Sequence, residues 1–415
     1  MKPGRLSAIA VVLLSLSCAK DPVGGSGAPP RITALPRALT SQEQELIQAD
    51  NRFAIGLLKQ VTADTRDTLP NLFISPLSVA MALAMTYNGA AGTTEVAMRS
   101  TLELDSLSVA DVNGAYRGLI DMLRSLDPHV HFQIANSIWY KQGYSIEQPF
   151  LAANHDYYDA QVTALDFTSP TAPTTINAWV SQQTQGIIDK IVDQIPDYMR
   201  LYLIDAIYFK GDWTVQFDPN LTKPGPFRLD DGSYVAVPTM ARGLAELRRA
   251  DRPNVTIVDL PYGGAAFSMT IVLPHDTSSV DHLVAGLTPQ QWDEWMSSLY
   301  LVKAEVFLPK FTLTNDLNLI PSLATLGMGI AFTGYADFSR IHVPSELSIT
   351  EVKHKTYVQV NEAGTVAAAV TSVGLGLTSV GPATIMIDRP FLFALRENLS
   401  GTILFVGVIR HPPAN

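Results

Sequence analysis

Residues 205–213 read Asp205-Ala206-Ile207-Tyr208-Phe209-Lys210-Gly211-Asp212-Trp213, and Phe217-Asp218-Pro219 follows them. This stretch is among the most specific in an ordered series of short motifs. The earlier members are Asn71-Leu72-Phe73-Ile74-Ser75-Pro76-Leu77-Ser78, Gly89-Ala90-Ala91-Gly92-Thr93-Thr94, Asn136-Ser137-Ile138-Trp139 and Ile176-Asn177-Ala178-Trp179-Val180. The later members are Val237-Pro238-Thr239-Met240, Leu260-Pro261-Tyr262, Leu308-Pro309-Lys310-Phe311, Ala336-Asp337-Phe338-Ser339, His354-Lys355 and Asp388-Arg389-Pro390-Phe391. One such motif alone is weak, but the whole ordered series indicates one particular fold.

Length and composition set the frame for that fold. The chain has 415 residues, of which 47% are hydrophobic, so it can bury a sizeable core. No internal repeat or low-complexity break divides it. The net charge of -10 argues against nucleic acid as a partner, because an acidic surface does not attract a polyanion.

Hydrophobic periodicity predicts an α+β protein. Thr40-Ser41 stand in capping-box spacing before Glu43-Gln44, which predicts a long first helix. Helical patterns also cover residues 76–85, 95–102, 109–126 and 174–192. Strand-like runs dominate later, at residues 255–260, 268–273, 301–308, 357–360, 391–395 and 402–409. The last two flank Asn398-Leu399-Ser400-Gly401, which predicts a hairpin turn.

The ordered motifs resemble those of the serpins over essentially the whole chain from about residue 43 to Pro412. The resemblance implies an α+β fold of about nine helices around three β-sheets, with an exposed loop near the C-terminus. In this family a target protease attacks one bond of that loop and forms an acyl-enzyme. The freed loop then inserts as a new strand into the central sheet and traps the protease. The resemblance therefore implies a serine-type endopeptidase inhibitor that acts as a suicide substrate.

The expected loop, residues 362–387, coincides with an unusual run of sequence. From Ala363 to Ile387 the chain has 25 residues without Asp, Glu, Lys or Arg. Its many Gly, Ser and Thr argue against a membrane span, which needs about 20 consistently apolar residues. A plain surface loop is the other alternative, although such loops usually carry charges. An inserted strand alternates its faces, and its inward set would be Thr365, Ala367, Ala369, Thr371, Val373, Leu375 and Leu377.

The resemblance also assigns parts of this run. The hinge consists of Glu362, Gly364, Thr365, Ala367, Ala368 and Ala369. Counting from Gly364 as the fifteenth residue before the cut places the reactive bond between Thr378 and Ser379. Leu377 and Ser379 are alternatives for the residue before the cut.

The composition of the loop limits the classes of protease that can recognise and cleave it. No Lys or Arg lies between Ala363 and Ile387, so trypsin-like enzymes are not expected targets. Thr378 preceded by Leu377 suits elastase-like or subtilisin-like serine proteases. A papain-like cysteine protease that reads Leu377 is an alternative.

Two residue clusters follow from the resemblance. The sheet-opening cluster, Ser75, Ser78, Asp205 and His354, is expected behind the middle strands of the central sheet. Asp205 stands where serpins usually have Asn. We expect its carboxylate either to hold His354 protonated and make opening pH-sensitive, or to form an ordinary polar pair. The loop-base cluster consists of Trp213, Lys310 and Glu362, in which Lys310 pairs with Glu362 either as a loop anchor or as a plain surface salt bridge.

The N-terminus predicts export. Lys2 and Arg5 precede an apolar stretch at residues 6–16, and residues 1–18 end at Cys18, the only cysteine. Leu14-Ser15-Leu16-Ser17-Cys18 resembles a bacterial lipobox with Ser15 where Leu is usual. This predicts a lipid anchor to the cell envelope, with ordinary secretion as the alternative. Residues 19–39 contain Gly24-Gly25-Ser26-Gly27 and predict a flexible tether, which leaves 40–415 as one serpin domain.

Other classes of function find little support. The sequence has no Gly-x-Ser-x-Gly elbow, His-Glu-x-x-His helix or phosphate-cradling glycine loop. We expect no enzyme activity, no cofactor and no metal site. The expected partner is a protease, the expected form is a monomer, and membrane contact is expected only through the lipid. The family alternative is a non-inhibitory serpin that acts as a binding or storage protein, but Thr365 followed by Ala367-Ala368-Ala369 favours inhibition.

Overall fold

The structure is a computed structural model that describes residues 29–275, 278–344, 346–365 and 383–413. Within them the chain forms nine α-helices: α1 (Ser41–Thr65), α2 (Pro76–Tyr87), α3 (Gly92–Thr101), α4 (Val109–Ser125), α5 (Gln148–Tyr158), α6 (Ala172–Gln183), α7 (Val280–Gly286), α8 (Pro289–Ser297) and α9 (Ile320–Leu323). None of these helices is long and apolar enough to cross a membrane.

The same part of the chain forms fifteen β-strands. In chain order they are β1 (Asn71–Ile74), β2 (Val130–Lys141), β3 (Gln161–Leu165), β4 (Leu201–Asp212), β5 (Lys223–Arg228), β6 (Tyr234–Arg252), β7 (Val255–Tyr262), β8 (Phe267–Pro274), β9 (Tyr300–Pro309), β10 (Phe311–Asn318), β11 (Lys353–Val360), β12 (Gly364–Thr365), β13 (Ala383–Met386), β14 (Phe391–Glu397) and β15 (Ile403–Ile409). The predicted α+β class is confirmed.

The described strands form two hydrogen-bonded sheets. The six-stranded sheet, called here the central sheet, has the order β10-β11-β12-β4-β2-β3. The nine-stranded sheet has the order β1-β15-β14-β8-β7-β6-β9-β13, with β5 beside β6. Three sheets were expected, but the long strand β6 pairs in turn with β5, β9 and β7 and so joins two of them. A register shift between Arg242 and Ala245 bends β6 at this junction.

The central sheet is covered on both faces. Along β4, alternate residues Tyr202, Ile204 and Ala206 pack against Ile176 and Trp179 of α6. The opposite face looks toward α2 and the main core, which α1, α2 and strands of both sheets share. Because β4 is packed on both sides, it reads as a nearly continuous apolar run rather than an alternating one.

The first helix and the last hairpin match their sequence patterns. The Thr40 hydroxyl accepts the Glu43 N–H, and the Glu43 carboxylate accepts the Thr40 N–H, which completes the capping box. In the β14–β15 hairpin the Glu397 carboxylate accepts the N–H groups of Leu399 and Ser400. Local hydrogen bonds therefore start α1 and form the hairpin turn where the sequence predicts.

The helix predicted over residues 174–192 is wrong in its second half, because α6 ends at Gln183. Gly186 has a φ of 80°, in the left-handed region that favours glycine. Beyond it, side chains take over the backbone hydrogen bonds: the Thr184 hydroxyl accepts the N–H of Ile188, and Asn177 accepts that of Val192. These bonds offer the backbone an alternative to the helix.

The N-terminal residues before α1 lie along the folded body. The Ile32 N–H donates to the Gly264 carbonyl at 2.7 Å. The turn that holds Gly264 is joined to the end of β4, because the Gly263 N–H donates to the Asp212 carbonyl at 2.8 Å. The segment at Ile32 is therefore fixed near the end of β4 that carries Asp212.

Candidate functional site

The hinge begins as a short strand inside the central sheet. On one side Gly364 and Thr365 of β12 pair with Asp212 and Gly211 of β4. On the other side Thr365 pairs with Val360 of β11. The described end of the hinge therefore already occupies a strand position between β4 and β11.

Gly364 allows this close approach. A Cβ atom at residue 364 would lie 2.1 Å from the carbonyl oxygen of Gly211 and 2.7 Å from the Asp212 Cα. Both neighbours are backbone atoms, which cannot move aside as a flexible side chain can. A hydrogen in place of a methyl group is thus what lets β12 lie against β4.

Thr365 is fully enclosed by its neighbours. Its side chain is 2% exposed, and its hydroxyl lies 2.8 Å from the hydroxyl of Tyr262 at the end of β7. The Tyr262 ring stacks on Trp213, with 4.4 Å between ring centroids and 12° between planes. The motif Leu260-Pro261-Tyr262 marked this position in the sequence, but nothing in it indicated that Tyr262 contacts the hinge.

The loop-base cluster forms as an ion pair with further support. The Lys310 ammonium group lies 2.9 Å from the Glu362 carboxylate, which also accepts the Thr222 hydroxyl at 2.8 Å. Burial by itself raises the pKa of Glu362, but the hydrogen bonds from Lys310 and Thr222 outweigh it and leave the pKa below its ordinary value. Glu362 is therefore ionised at neutral pH and holds the start of the loop to two other segments.

Trp213 adds backbone contacts to the same base. Its indole N–H donates to the Asn361 carbonyl at 2.9 Å, and its backbone N–H donates to the Ala363 carbonyl at 2.9 Å. The Phe217 N–H donates to the Glu362 carbonyl at 2.9 Å. The three residues before Gly364 are thereby hydrogen-bonded to the segment that follows β4.

Below Thr365, β4 and β11 remain apart. Thr365 pairs with both strands, so the gap is two strand spacings wide, about 10 Å. In the described ranges no ladder joins β4 directly to β11. We call this gap the strand groove. It opens into a cavity of about 430 Å³, with walls that include Leu83, Thr86, Leu203, Ile207, Val352 and His354.

The sheet-opening cluster lies at this groove. Ser75 caps the N-terminus of α2 by accepting the Ser78 N–H at 3.3 Å, and its own hydroxyl donates to the Leu404 carbonyl at 2.8 Å. The Ser75 backbone N–H donates to His354 Nε2 at 2.9 Å. Asp205 and His354 are each six residues down from the pair that flanks Thr365, so they lie at the same level on opposite walls.

The expectation that Asp205 holds His354 protonated is wrong. His354 Nε2 is an acceptor for the Ser75 N–H, so this nitrogen carries no proton. Burial lowers the pKa of His354 to about 4. Burial also raises the pKa of Asp205 to about 7, although the Ser78 hydroxyl and the Arg124 guanidinium each lower it. His354 is therefore neutral at pH 7 whatever the charge on Asp205, and the two groups do not form an ion pair.

Several predicted residues lie outside the described residues: Ala367, Ala368, Ala369, Leu377, Thr378, Ser379 and Cys18. Among the described residues, the structure brings together Glu362, Lys310 and Trp213 at the loop base and Ser75, Ser78 and His354 behind the sheet. In the same described ranges, no group of three or more His, Cys, Asp or Glu side chains is placed to hold a metal ion.

Comparison with known proteins identifies the family to which this fold belongs. Residues 48–412 match the family described as Serpin (serine protease inhibitor). The chain belongs to the serpin family. The leukocyte elastase inhibitor of Equus caballus, also a match, is 32% identical over 383 residues, which cover 89% of this serpin and 100% of the relative.

Solved serpin structures superpose on most of the chain. Tengpin, a thermophilic serpin in its native state, is 31% identical with a TM-score of 0.80, over 92% of this serpin and 97% of tengpin. Human thyroxine-binding globulin is 26% identical with a TM-score of 0.81, over 90% of this serpin and 100% of the globulin. These solved structures therefore share the fold over most of the chain.

Removal of the Tyr262 hydroxyl is expected to loosen the hinge. Tyr262→Phe leaves the buried Thr365 hydroxyl without its partner, which should cost about 1–3 kcal/mol of unfolding free energy. Thr365→Val leaves the Tyr262 hydroxyl unpaired instead. The double variant leaves neither group unpaired, so its loss should be smaller than the sum of the two single losses. Urea unfolding of all four proteins measures this coupling, and strictly additive losses would show that the two hydroxyls do not interact.

Proposed function

We propose that this serpin inhibits serine-type endopeptidases as a suicide substrate. A protease cuts the loop near Thr378-Ser379 and forms an acyl-enzyme. The freed loop then enters the strand groove before the acyl-enzyme hydrolyses, and the protease is carried along and trapped. The serpin provides the cleavable loop and the groove that receives it, and the protease catalyses the cleavage.

One observation carries the proposal: Thr365 is already seated between β4 and β11, and the groove continues beneath it at the width of one strand. A loop freed at its distal end can extend β12 along this groove without opening the sheet first. The strands on both sides of the groove, β4 and β11, can offer backbone N–H and C=O groups to the inserting loop. Insertion is then the lengthening of an existing strand.

New hydrogen bonds make insertion of the loop thermodynamically favourable. Each ladder bond contributes about 0.5–1.5 kcal/mol, so insertion of about a dozen residues favours the inserted state by roughly 10 kcal/mol. The uncut loop is held at both ends, by the loop base before it and by β13 after it. Cleavage removes the second restraint, so the active form is kinetically held.

The loop sequence and one relative favour elastase-like or subtilisin-like targets. No Lys or Arg lies between Ala363 and Ile387, which disfavours proteases with an anionic specificity pocket. The relative from Equus caballus is a leukocyte elastase inhibitor by name. Papain-like cysteine proteases remain the alternative class.

A non-inhibitory role as a binding or storage protein is the second candidate. It is favoured by the close superposition on thyroxine-binding globulin, which has been solved in complex with thyroxine. The small residues that follow Thr365 weigh against it, because they suit passage into a sheet.

A protease panel distinguishes the two candidates. The full chain is incubated with elastase-, subtilisin-, chymotrypsin-, trypsin- and papain-like enzymes, followed by a denaturing gel and N-terminal sequencing of the released peptide. Inhibition predicts a complex that survives denaturation and a peptide that begins at Ser379. Complete cleavage without a complex for every enzyme would favour the binding or storage role.

We also propose that the protein is exported and held at the cell envelope by a lipid on Cys18. Expression with radiolabelled palmitate should label the wild-type chain in the membrane fraction and leave Cys18→Ala unlabelled. Unlabelled wild-type protein in the medium would instead support ordinary secretion.

A further inference from the structure

Asp205 carries a carboxyl group that is buried on the wall of the strand groove with only partial compensation. Both of its oxygens are shielded from solvent and make no hydrogen bond of standard geometry within the described residues, and the nearby Ser78 hydroxyl offsets the effect of burial only in part. The residue lines the cavity of about 430 Å³ together with Ser78 and His354. An ionised carboxylate in such a place loses its water and gains no donor in return, which is unfavourable.

The elements on its own side of the groove offer little help. On β2 the residue paired with Asp205 is Asn136, which is neutral and has an unpartnered Oδ1. On α4 the Arg124 guanidinium lowers the pKa of Asp205 only in part, because burial outweighs it. Arg124 also donates to the Asp159 carboxylate at 2.9 Å. The cation that lowers the pKa of Asp205 is thus shared with another acid.

Two further titratable side chains near Asp205, those of His354 and Tyr116, are neutral. His354 on the opposite wall accepts the Ser75 N–H and is uncharged. The Tyr116 hydroxyl of α4 donates to Asp50 of α1 at 2.7 Å, and burial keeps Tyr116 protonated. The other charged residues that line the cavity are half-buried or exposed: Arg200, Glu346, Glu351, Lys353 and Lys355. The loop itself carries no charge from Ala363 to Ile387.

We propose that Asp205 couples strand insertion to proton uptake, so that the groove accepts a strand when this carboxyl group is neutral and resists one when it is ionised. The inference rests on the proposed function, since it concerns the groove that the loop would enter. An uncharged strand in the groove would replace solvent in the cavity beside Asp205 with apolar atoms, which makes the surroundings of the carboxyl group less polar. The inserted state therefore takes one proton from solvent when Asp205 starts out ionised.

The sign of the pH dependence follows from the change in pKa on insertion. Burial has already raised the pKa of Asp205 to about 7 in the open groove, and the less polar surroundings after insertion raise it more. A carboxyl group with a higher pKa in the inserted state favours insertion at low pH, and this advantage declines as pH rises above about 7. The trap should work best in neutral or mildly acidic surroundings.

A strand supplied in trans tests the coupling without any protease. A fluorescein-labelled peptide with the sequence of residues 366–377, which would continue the strand beyond Thr365, is added to the full chain, and its association is followed by fluorescence anisotropy from pH 5.5 to 8.5. For wild type, the association rate should be constant below pH 6 and fall about tenfold per pH unit above pH 7, with the neutral fraction of Asp205. Asp205→Asn is always neutral and should bind at one rate throughout.

Asp50→Asn is the matched control. Asp50 is a second buried carboxyl group whose pKa burial raises to about 7, although the Tyr116 hydroxyl lowers it, and it does not line the groove. Asn at residue 50 still accepts the Tyr116 hydroxyl, so this variant should keep the wild-type pH profile. A flat wild-type profile, an unchanged slope in Asp205→Asn, or no peptide binding at any pH would each overturn the coupling.

The coupling and the proposed function fail in different ways. If no protease forms a complex but the peptide binds with the expected pH profile, the inhibitory role is lost and the coupling stands. In the other arm, the number of inhibitor molecules consumed per protease inactivated is compared between wild type and Asp205→Asn at each pH, so that the protease's own pH dependence cancels. A ratio that stays constant from pH 5.5 to 8.5 keeps the inhibitory role and overturns the coupling.

Discussion

Thr365→Arg should abolish inhibition and leave a chain that the same protease simply cuts. Thr365 is 2% exposed between β4 and β11, and its nearest polar partner is the neutral Tyr262 hydroxyl. A guanidinium group buried in place of the Thr365 hydroxyl would face the neutral Tyr262 hydroxyl, and burying a charge without an ion-pair partner costs several kcal/mol. A penalty of about 3 kcal/mol on insertion slows the trap about a hundredfold. The acyl-enzyme then hydrolyses before the loop is seated.

The measurement is the yield of denaturation-resistant complex against that of cleaved chain. Thr365→Ser retains the hydroxyl in a smaller side chain and should inhibit nearly as wild type does. Thr314→Arg adds the same charge at an exposed position on β10 of the same sheet and should also preserve inhibition. Undiminished complex formation by Thr365→Arg would contradict the insertion of this residue.

Asp259→Ala should cause the largest loss of stability. The Asp259 side chain is 1% exposed and lies 3.2 Å from the guanidinium of Arg396, which is 4% exposed. It also accepts the Arg248 Nε–H at 2.9 Å and the Thr270 hydroxyl at 2.6 Å. Removal of the shared acid leaves Arg396 buried and unpaired, which typically costs about 3–5 kcal/mol.

Urea unfolding followed by circular dichroism measures this loss. Asp67→Ala is the control, because the Asp67 side chain is 91% exposed and its removal should change stability by less than about 0.5 kcal/mol. Burial alone would raise the pKa of Asp259, but Arg396 and Arg248 hold it below its ordinary value. The stabilisation is therefore present above about pH 4 and is lost as pH falls further. Equal losses in the two variants would contradict a buried network.

The sequence predicted the features that depend on neighbouring residues. The capping box of α1 and the β14–β15 hairpin depend on contacts a few residues apart, and both lie where the pattern indicates. Periodicity did not identify β2, although its first residues alternate between buried and exposed positions. It did not identify β4 either, because a strand packed on both faces lacks a clear alternation of polar and apolar residues. The family motifs marked both strands without showing which residues they meet.

The site shows the same division. The pairing of Lys310 with Glu362 agrees with the motif comparison, although 52 residues separate the two. The neutrality of His354 was not predictable, because it depends on a backbone N–H of Ser75, 279 residues away in sequence. Likewise, Asp205 departs from the family pattern in the sequence, but only the structure shows that its oxygens are shielded from solvent without a hydrogen bond of standard geometry.

The attachment of Ile32 to Gly264 has a consequence for orientation at a membrane. Gly264 adjoins Gly263, which bonds to Asp212, and Asp212 pairs with Gly364 at the start of the loop. The residues from Cys18 to Ile32 span at most about 50 Å when fully extended. A lipid on Cys18 would therefore attach the molecule to the membrane near the place where the loop begins. The loop would then meet proteases close to the membrane that carries the protein. Attachment at the opposite end would instead place the start of the loop farther from that membrane.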